Sequence, residues 1–210
     1  MQISEVRREI ASNFGMTEGS LRNLQQGLYG VAEFQATGLK GRAGDIGDRG
    51  LLATNSSSAL LILAGMCGKD RETIGARVLE LWKARPISRT GNLLERNSTL
   101  GACLTMILAR AAVREHVNYI ELDRDIPDMT VVLDRGGSRV VFSPLKPKQW
   151  IRRMEAIFAR GTVGDVRRLP RTTFDKVAAL ISADREAEKN LNKPHLDAEP
   201  RTGGRSARYM

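Results

Sequence analysis

The stretch Val6–Gln26, VRREIASNFGMTEGSLRNLQQ, constrains this chain more than any other. Ala11, Gly15, Leu21 and Leu24 follow the spacing Ala-x3-Gly-x5-Leu-x2-Leu, with apolar Ile10, Phe14 and Met16 between them. A residue as small as Ala11 lets two short helices cross closely. Gly15 falls where the first helix must stop, and glycine accepts the left-handed conformation of such a turn. Thr17 is placed to cap a second helix whose Leu21, Leu24 and Leu28 share one face. The spacing therefore predicts helices over Ile3–Phe14 and Thr17–Leu28. Thr17, Glu18, Ser20, Arg22, Asn23 and Gln26 are predicted to point away from the core.

This pattern resembles the helix-turn-helix of bacterial and phage DNA-binding proteins at its small, glycine and apolar positions. The resemblance implies double-stranded DNA as the partner, with the second helix in the major groove. Thr17, Ser20, Arg22, Asn23 and Gln26 then become DNA-binding residues. Arg, Asn and Gln are the side chains that read guanine and adenine edges through paired hydrogen bonds. Two positions depart from the pattern. Gly19 lowers helix propensity in the first turn, and Glu18, though suited to a helix N-terminus, sets negative charge where phosphates would lie. The alternative is a packed helical hairpin that touches no nucleic acid.

Charge supports a polyanionic partner but locates it elsewhere. The 210-residue chain carries a net charge of +9, which favours nucleic acid. Residues 1–50 hold six basic and six acidic side chains, so the reading head is neutral. Residues 143–171 hold eight basic against two acidic. Arg152, Arg153, Arg167 and Arg168 in that segment are the candidate phosphate contacts.

Between these regions lies a glycine-rich run in which Gly38, Gly41, Gly44, Gly47 and Gly50 recur every third residue. It lacks prolines and is too short for a triple helix. It reads as a wing carrying Lys40, Arg42 and Arg49 to DNA, or as a solvated linker. The Lys40-Gly41-Arg42 part resembles a basic stretch behind the helix-turn-helix of some phage-encoded alphaproteobacterial proteins.

Downstream, Ser56–Met66 is apolar nearly all round and predicts a buried helix ended by Gly65 and Gly68, with Thr54 or Ser56 as its cap. Lys69–Ala84 is amphipathic and stopped by Pro86, and Leu100–Val113 reads as one apolar helix. Asn118–Leu122 is a candidate short strand. Met129–Leu133 and Arg139–Phe142 flank Asp134-Arg135-Gly136-Gly137-Ser138 as a β-hairpin. Gln149–Arg160 is a basic amphipathic helix, with Trp150, Met154, Ile157 and Phe158 inward and Arg152, Arg153 and Arg160 outward. Thr173–Ala183 closes the ordered part, and residues 184–210 are polar enough to expect disorder. The predicted fold is mainly α, about six helices. In it an N-terminal helix-turn-helix, winged or not, packs on a helical core with one late β-hairpin. Its segments are 1–50 (reading head and wing or loop), 51–142 (core and hairpin), 143–183 (basic helices) and 184–210 (tail).

Nothing in the sequence assembles a catalytic site. No phosphate-binding Gly-x4-Gly-Lys-Ser/Thr loop is present, and Cys67 and Cys103 lie in apolar runs as expected of buried, inert thiols. With two histidines and no Cys-x-x-Cys pair, no zinc set forms. The acidic run Glu121, Asp123, Asp125 and Asp128 lacks the glycine and closing glutamate of a calcium loop. No enzyme, cofactor or metal is expected. No stretch approaches a membrane span, and the start lacks a secretory signal, so a cytoplasmic location is expected. Two roles follow: a phage- or prophage-related transcriptional regulator acting as a DNA-bound dimer, or a DNA-recognising assembly protein such as a small terminase subunit. A protein-binding adaptor without DNA contact is a third.

Overall fold

The helix α3 (Asn55–Cys67) is the axis of the structure, because a helix that is apolar on every side must be surrounded. Residues 57–67 are buried without a break. Thr54 caps it through a capping box with Ser57, which fixes where the apolar run enters the core. The computed structural model describes residues 3–29, 54–68, 70–87, 94, 99–123, 128–133, 138–160 and 166–191. Within them, five helices pack around α3. These are α1 (Ile3–Asn13), α2 (Glu18–Leu28), α4 (Arg71–Lys83), α5 (Leu100–Ala109) and α8 (Arg171–Leu191). The glycine-rich run with Lys40, Arg42 and Arg49 lies outside the described residues, as do the hairpin turn at 134–137 and residues 192–210.

α1 and α2 match the sequence prediction closely. Gly15 has φ +62°. The Gly15 N–H donates to the Ser12 carbonyl at 3.2 Å, and the Met16 N–H to the Ala11 carbonyl at 3.0 Å. This pair of bonds is the Schellman closure, which uses the last carbonyls of α1. Thr17 then caps α2 by accepting from the Ser20 N–H at 3.1 Å.

Of Gly65 and Gly68, expected to end α3, Gly65 instead lies inside the helix, and Gly27 lies inside α2, which ends at Leu28 as predicted. α2 continues through Gly27, where α4 crosses so closely that a Cβ would stand 2.4 Å from the Arg71 carbonyl oxygen. α3 continues through Gly65, on which the Phe14 ring rests, and ends at Gly68. These glycines serve close approach rather than termination. The predicted single helix over Leu100–Val113 is also corrected. It breaks at Arg110, whose backbone is extended, into α5 and the short α6 (Ala111–Arg114). Arg114 folds back and donates to the carbonyls of Ile107 and Leu108 at 3.0 and 3.1 Å, satisfying the exposed end of α5.

The expected hairpin exists as β3 (Asp128–Leu133) and β4 (Arg139–Ser143), but within a five-stranded antiparallel sheet. The strand order is β1-β4-β3-β2-β5, with β1 (Arg85–Pro86), β2 (Val117–Asp123) and β5 (Val166–Pro170). The inner face carries Leu169, Ile120, Val131 and Val140 in one row, and Arg167, Leu122, Met129 and Phe142 in the next. All eight but Arg167 are buried. The outer face carries Arg168, Glu121, Thr130 and Val141, with Val166, Asp123 and Asp128 beyond them. β5 passes directly into α8, which packs on β2, β5, α1 and α5. α8 continues to Leu191, so disorder from residue 184 is corrected for that stretch. The remaining helix, α7 (Pro147–Arg160), follows β4 with proline at its first position, where the missing N–H costs nothing.

Candidate nucleic-acid interface

On α2, side chains sort by face. Leu21, Leu24, Gln25 and Leu28 are buried, while Gly19, Ser20, Arg22 and Asn23 are exposed and Gln26 is half-buried. The outward stripe predicted for reading bases is thus presented to solvent, apart from Glu18. That residue turns toward α1, where the Arg7 Nη2 donates to its Oε1 at 2.9 Å and Arg8 lies 3.5 Å from its Oε2. The hydrogen bond from Arg7 holds the Glu18 carboxyl below its ordinary range; burial opposes this, and the charges of Arg7 and Arg8 add to it. Glu18 is therefore not a bare negative charge in the path of phosphates. It belongs to the joint between the two helices.

The centre of that joint is Arg7, only 3% exposed. Its Nη1 donates to Gln25 Oε1 at 2.9 Å, and Gln25 Nε2 donates to the Tyr29 hydroxyl at 2.9 Å. A buried guanidinium thus bonds to two residues seven apart on α2 and fixes the angle between α1 and α2. The sequence reading missed Arg7 and Gln25. The signal was present, since Gln25 falls on the apolar face one turn beyond Leu21, where a polar residue demands a buried partner.

A second set of contacts buttresses the turn. The Phe14 ring packs on Gly65 of α3, and the Arg167 guanidinium lies 6.0 Å from its centroid. Arg167 Nη1 also donates to the Gly65 carbonyl. α8 adds the Thr173 hydroxyl, bonded to Asn13 Oδ1 at 2.8 Å, and Lys176, paired with Glu9 at 3.0 Å. The helix pair is therefore held by α3, β5 and α8 together.

The four basic candidates of residues 143–171 separate into two kinds. Arg167 is half-buried and makes the internal contacts just described. Arg168 remains exposed, but its Nε donates to Glu121 at 2.9 Å and its guanidinium lies 5.2 Å from the Tyr119 ring centroid. Arg152 and Arg153 lie exposed on α7, as predicted. Inward Trp150, Met154 and Ile157 are only half-buried, and the side chains of Phe158 and Arg160 lie outside the described residues. β5 itself was not foreseen, because Val-Arg-Arg-Leu-Pro reads as charge until Glu121 on the neighbouring strand is known.

α7 is fastened at Trp150, whose indole N–H donates to Asp128 Oδ2. Asp128 is buried, and desolvation pushes its carboxyl up; donors from Ser143 and Trp150 and the charge of Arg153 pull it partly back, while Asp123 adds to the rise. A carboxyl raised in the folded state contributes stability below its unfolded value, and that stability is lost as pH rises through the folded value. Asp128→Asn keeps an oxygen for Trp150 without the charge. At pH 7 it is expected to raise the urea midpoint, and to flatten the decline of stability between acid and neutral pH. An unchanged midpoint and slope would mean the carboxylate is better solvated than its burial implies.

Cys67 and Cys103 are buried free thiols, and burial pushes Cys103 up to about 12. Among the described residues, no three His, Cys, Asp or Glu side chains gather in a way that would hold a metal. No described helix is long and apolar enough to cross a membrane. No family model, curated protein or solved structure matches the chain.

Proposed function

We propose that this chain is a sequence-specific double-stranded DNA-binding regulator, phage- or prophage-related, in which α1 and α2 act as the helix-turn-helix. The reading rests chiefly on one observation. The outward stripe of Ser20, Arg22, Asn23 and Gln26 stands on a capped helix whose orientation is set by the buried Arg7 joint. A reading helix needs that combination, since base contacts discriminate only when the helix axis is fixed. Arg152 and Arg153, with Arg168 in a lesser role, supply phosphate contacts that carry affinity rather than sequence. Lys40 and Arg42 belong to the same proposal as wing contacts. A dimer is expected, because one short helix reads too few base pairs and two half-sites multiply the discrimination. The small-terminase type of assembly role keeps its place beside this reading because Ile151 and Val166 are exposed apolar side chains suited to protein contact.

Selection of bound sequences from a random duplex pool, with solution mass measured alongside, tests the proposal. An inverted repeat and a dimer mass support the regulator. A large ring without enrichment supports assembly, and no retained DNA removes both. Given a preferred site, Arg22→Ala and Asn23→Ala are each expected to weaken it by about 10- to 100-fold, corresponding to one lost paired contact, with far smaller effects on random duplex. Equal losses on both DNAs would show that α2 does not read bases. Arg152→Ala with Arg153→Ala is expected to weaken all sequences alike and to lower the salt slope by about two.

A further inference from the structure

Asp128 is the one buried carboxyl among the described residues, at 7% exposure. Its Oδ2 accepts the indole N–H of Trp150, while its Oδ1 is enclosed without a hydrogen-bond partner. Directly opposite, on β2, stands a second carboxyl, that of Asp123. Like charges opposed across an antiparallel pair repel, and a carboxylate kept from water with an unmet oxygen is costly. Protonation removes both penalties and still leaves an acceptor for Trp150. Among the described residues, the groups facing Asp128 are Asp123 from β2, Ser143 from β4, and Trp150 and Arg153 from α7. α7 itself is seated shallowly. Its inward Trp150, Met154 and Ile157 are only half-buried, and it takes no share in the extensive packing that joins the other long helices.

We propose that Asp128 and Trp150 form a proton-dependent latch, closed when Asp128 is neutral and opened when it ionises, which sets how firmly α7 is held against the sheet. The sign follows from a competition. Arg153 and the indole N–H arrive with α7 and favour the carboxylate. Enclosure and the Asp123 charge oppose it, and enclosure is the largest influence, so the Asp128 carboxyl is pushed up. With α7 lifted, water reaches both oxygens and screens Asp123. Ionisation therefore favours the open helix, and proton binding favours the closed one. Because the two carboxyls oppose each other, the midpoint belongs to the pair. The latch concerns the seating of α7 alone and does not rest on DNA reading by α2.

The chain has two tryptophans, Trp82 and Trp150. The isotope-labelled full chain therefore gives two indole N–H signals in a nitrogen–proton NMR spectrum, which Trp150→Phe assigns. As pH rises from acid to neutral, the Trp150 signal is expected to shift with a midpoint above the ordinary aspartate value. Its exchange with water should rise through the same midpoint by about tenfold relative to Trp82, the change in opening that one unit of pKa difference supplies. Trp82 corrects for base catalysis of exchange. Backbone amide signals of α3 should persist throughout, which separates release of α7 from unfolding. Asp128→Asn should keep Trp150 protected, relative to Trp82, at every pH. Asp123→Asn should lower the midpoint by about one unit, and with the parent titration it decides the matter even if Asp128→Asn fails to fold. The proposal is overturned if the midpoint stands at or below the ordinary aspartate value, or if Asp123→Asn leaves it unmoved. It is also overturned if Trp150 exchange relative to Trp82 stays level or falls as the pair ionises, or if the α3 amides are lost at the same midpoint.

Discussion

Replacing Arg7 by alanine is expected to destabilise the fold by about 3 kcal/mol. The change strips the fully buried Gln25 of the donor to its amide oxygen and leaves Glu18 without its main partner. It also opens a void between α1 and α2. Because small domains are stable by only about 5–15 kcal/mol, the loss should appear as a large fall in the urea midpoint. The double substitution Arg7→Met with Gln25→Leu fills the space with apolar atoms and removes both buried polar groups. It should recover most of the stability, as buried polar clusters often tolerate replacement as a unit. The acid limb gives a separate check. Arg7 depresses the folded Glu18 carboxyl, so its stabilisation is present above the ordinary glutamate value and lost as pH falls through the depressed one. Arg7→Ala should be less sensitive to that range than the parent chain. If alanine is tolerated at every pH, α1 and α2 are held by apolar packing alone.

The Arg7 joint also marks the limit of what the sequence makes legible. Helical periodicity locates the apolar faces of α1, α2 and α4, and capping chemistry places the start of α2 at Thr17 and narrows that of α3 to Thr54 or Ser56, of which Thr54 is the cap. Such signals are local, and they are read correctly. What escapes is partnership across long separations. Arg167 reads as part of a cationic surface until Gly65 and Phe14, more than a hundred residues earlier, are brought beneath it. Arg168 reads the same way until Glu121 stands opposite. Of the surface candidates, Arg22, Asn23, Arg152 and Arg153 keep their predicted exposure, because the amphipathic pattern alone decides it.

These contacts give the proposed reading head an unusual dependence on the distant sheet. The last turn of α1 is bonded to Thr173 at the start of α8, and the turn before α2 rests against Arg167 of β5.

Gly27 and Gly19 give the sharpest test of how α2 is seated, since the same substitution should act in opposite directions at the two sites. Both lie inside one helix, where glycine to alanine is intrinsically favourable by up to about 1 kcal/mol. At exposed Gly19 a new Cβ meets nothing nearer than the Thr17 hydroxyl at 3.9 Å. Gly19→Ala should therefore stabilise by about 0.5–1 kcal/mol. At Gly27 the Cβ would stand 2.4 Å from the Arg71 carbonyl oxygen and 2.5 Å from Ile74 Cγ2. Ile74 can change rotamer, but the carbonyl belongs to the backbone of the first turn of α4 and cannot yield without moving that helix. Overpacking of this kind costs about 1–3 kcal/mol, enough to exceed the gain in propensity. Gly27→Ala should thus lower the urea midpoint, and adding Ile74→Ala should not restore it. A midpoint that rises at Gly27 as it does at Gly19 would mean that α4 does not cross α2 closely. α2 would then be supported by α1 and α3 alone.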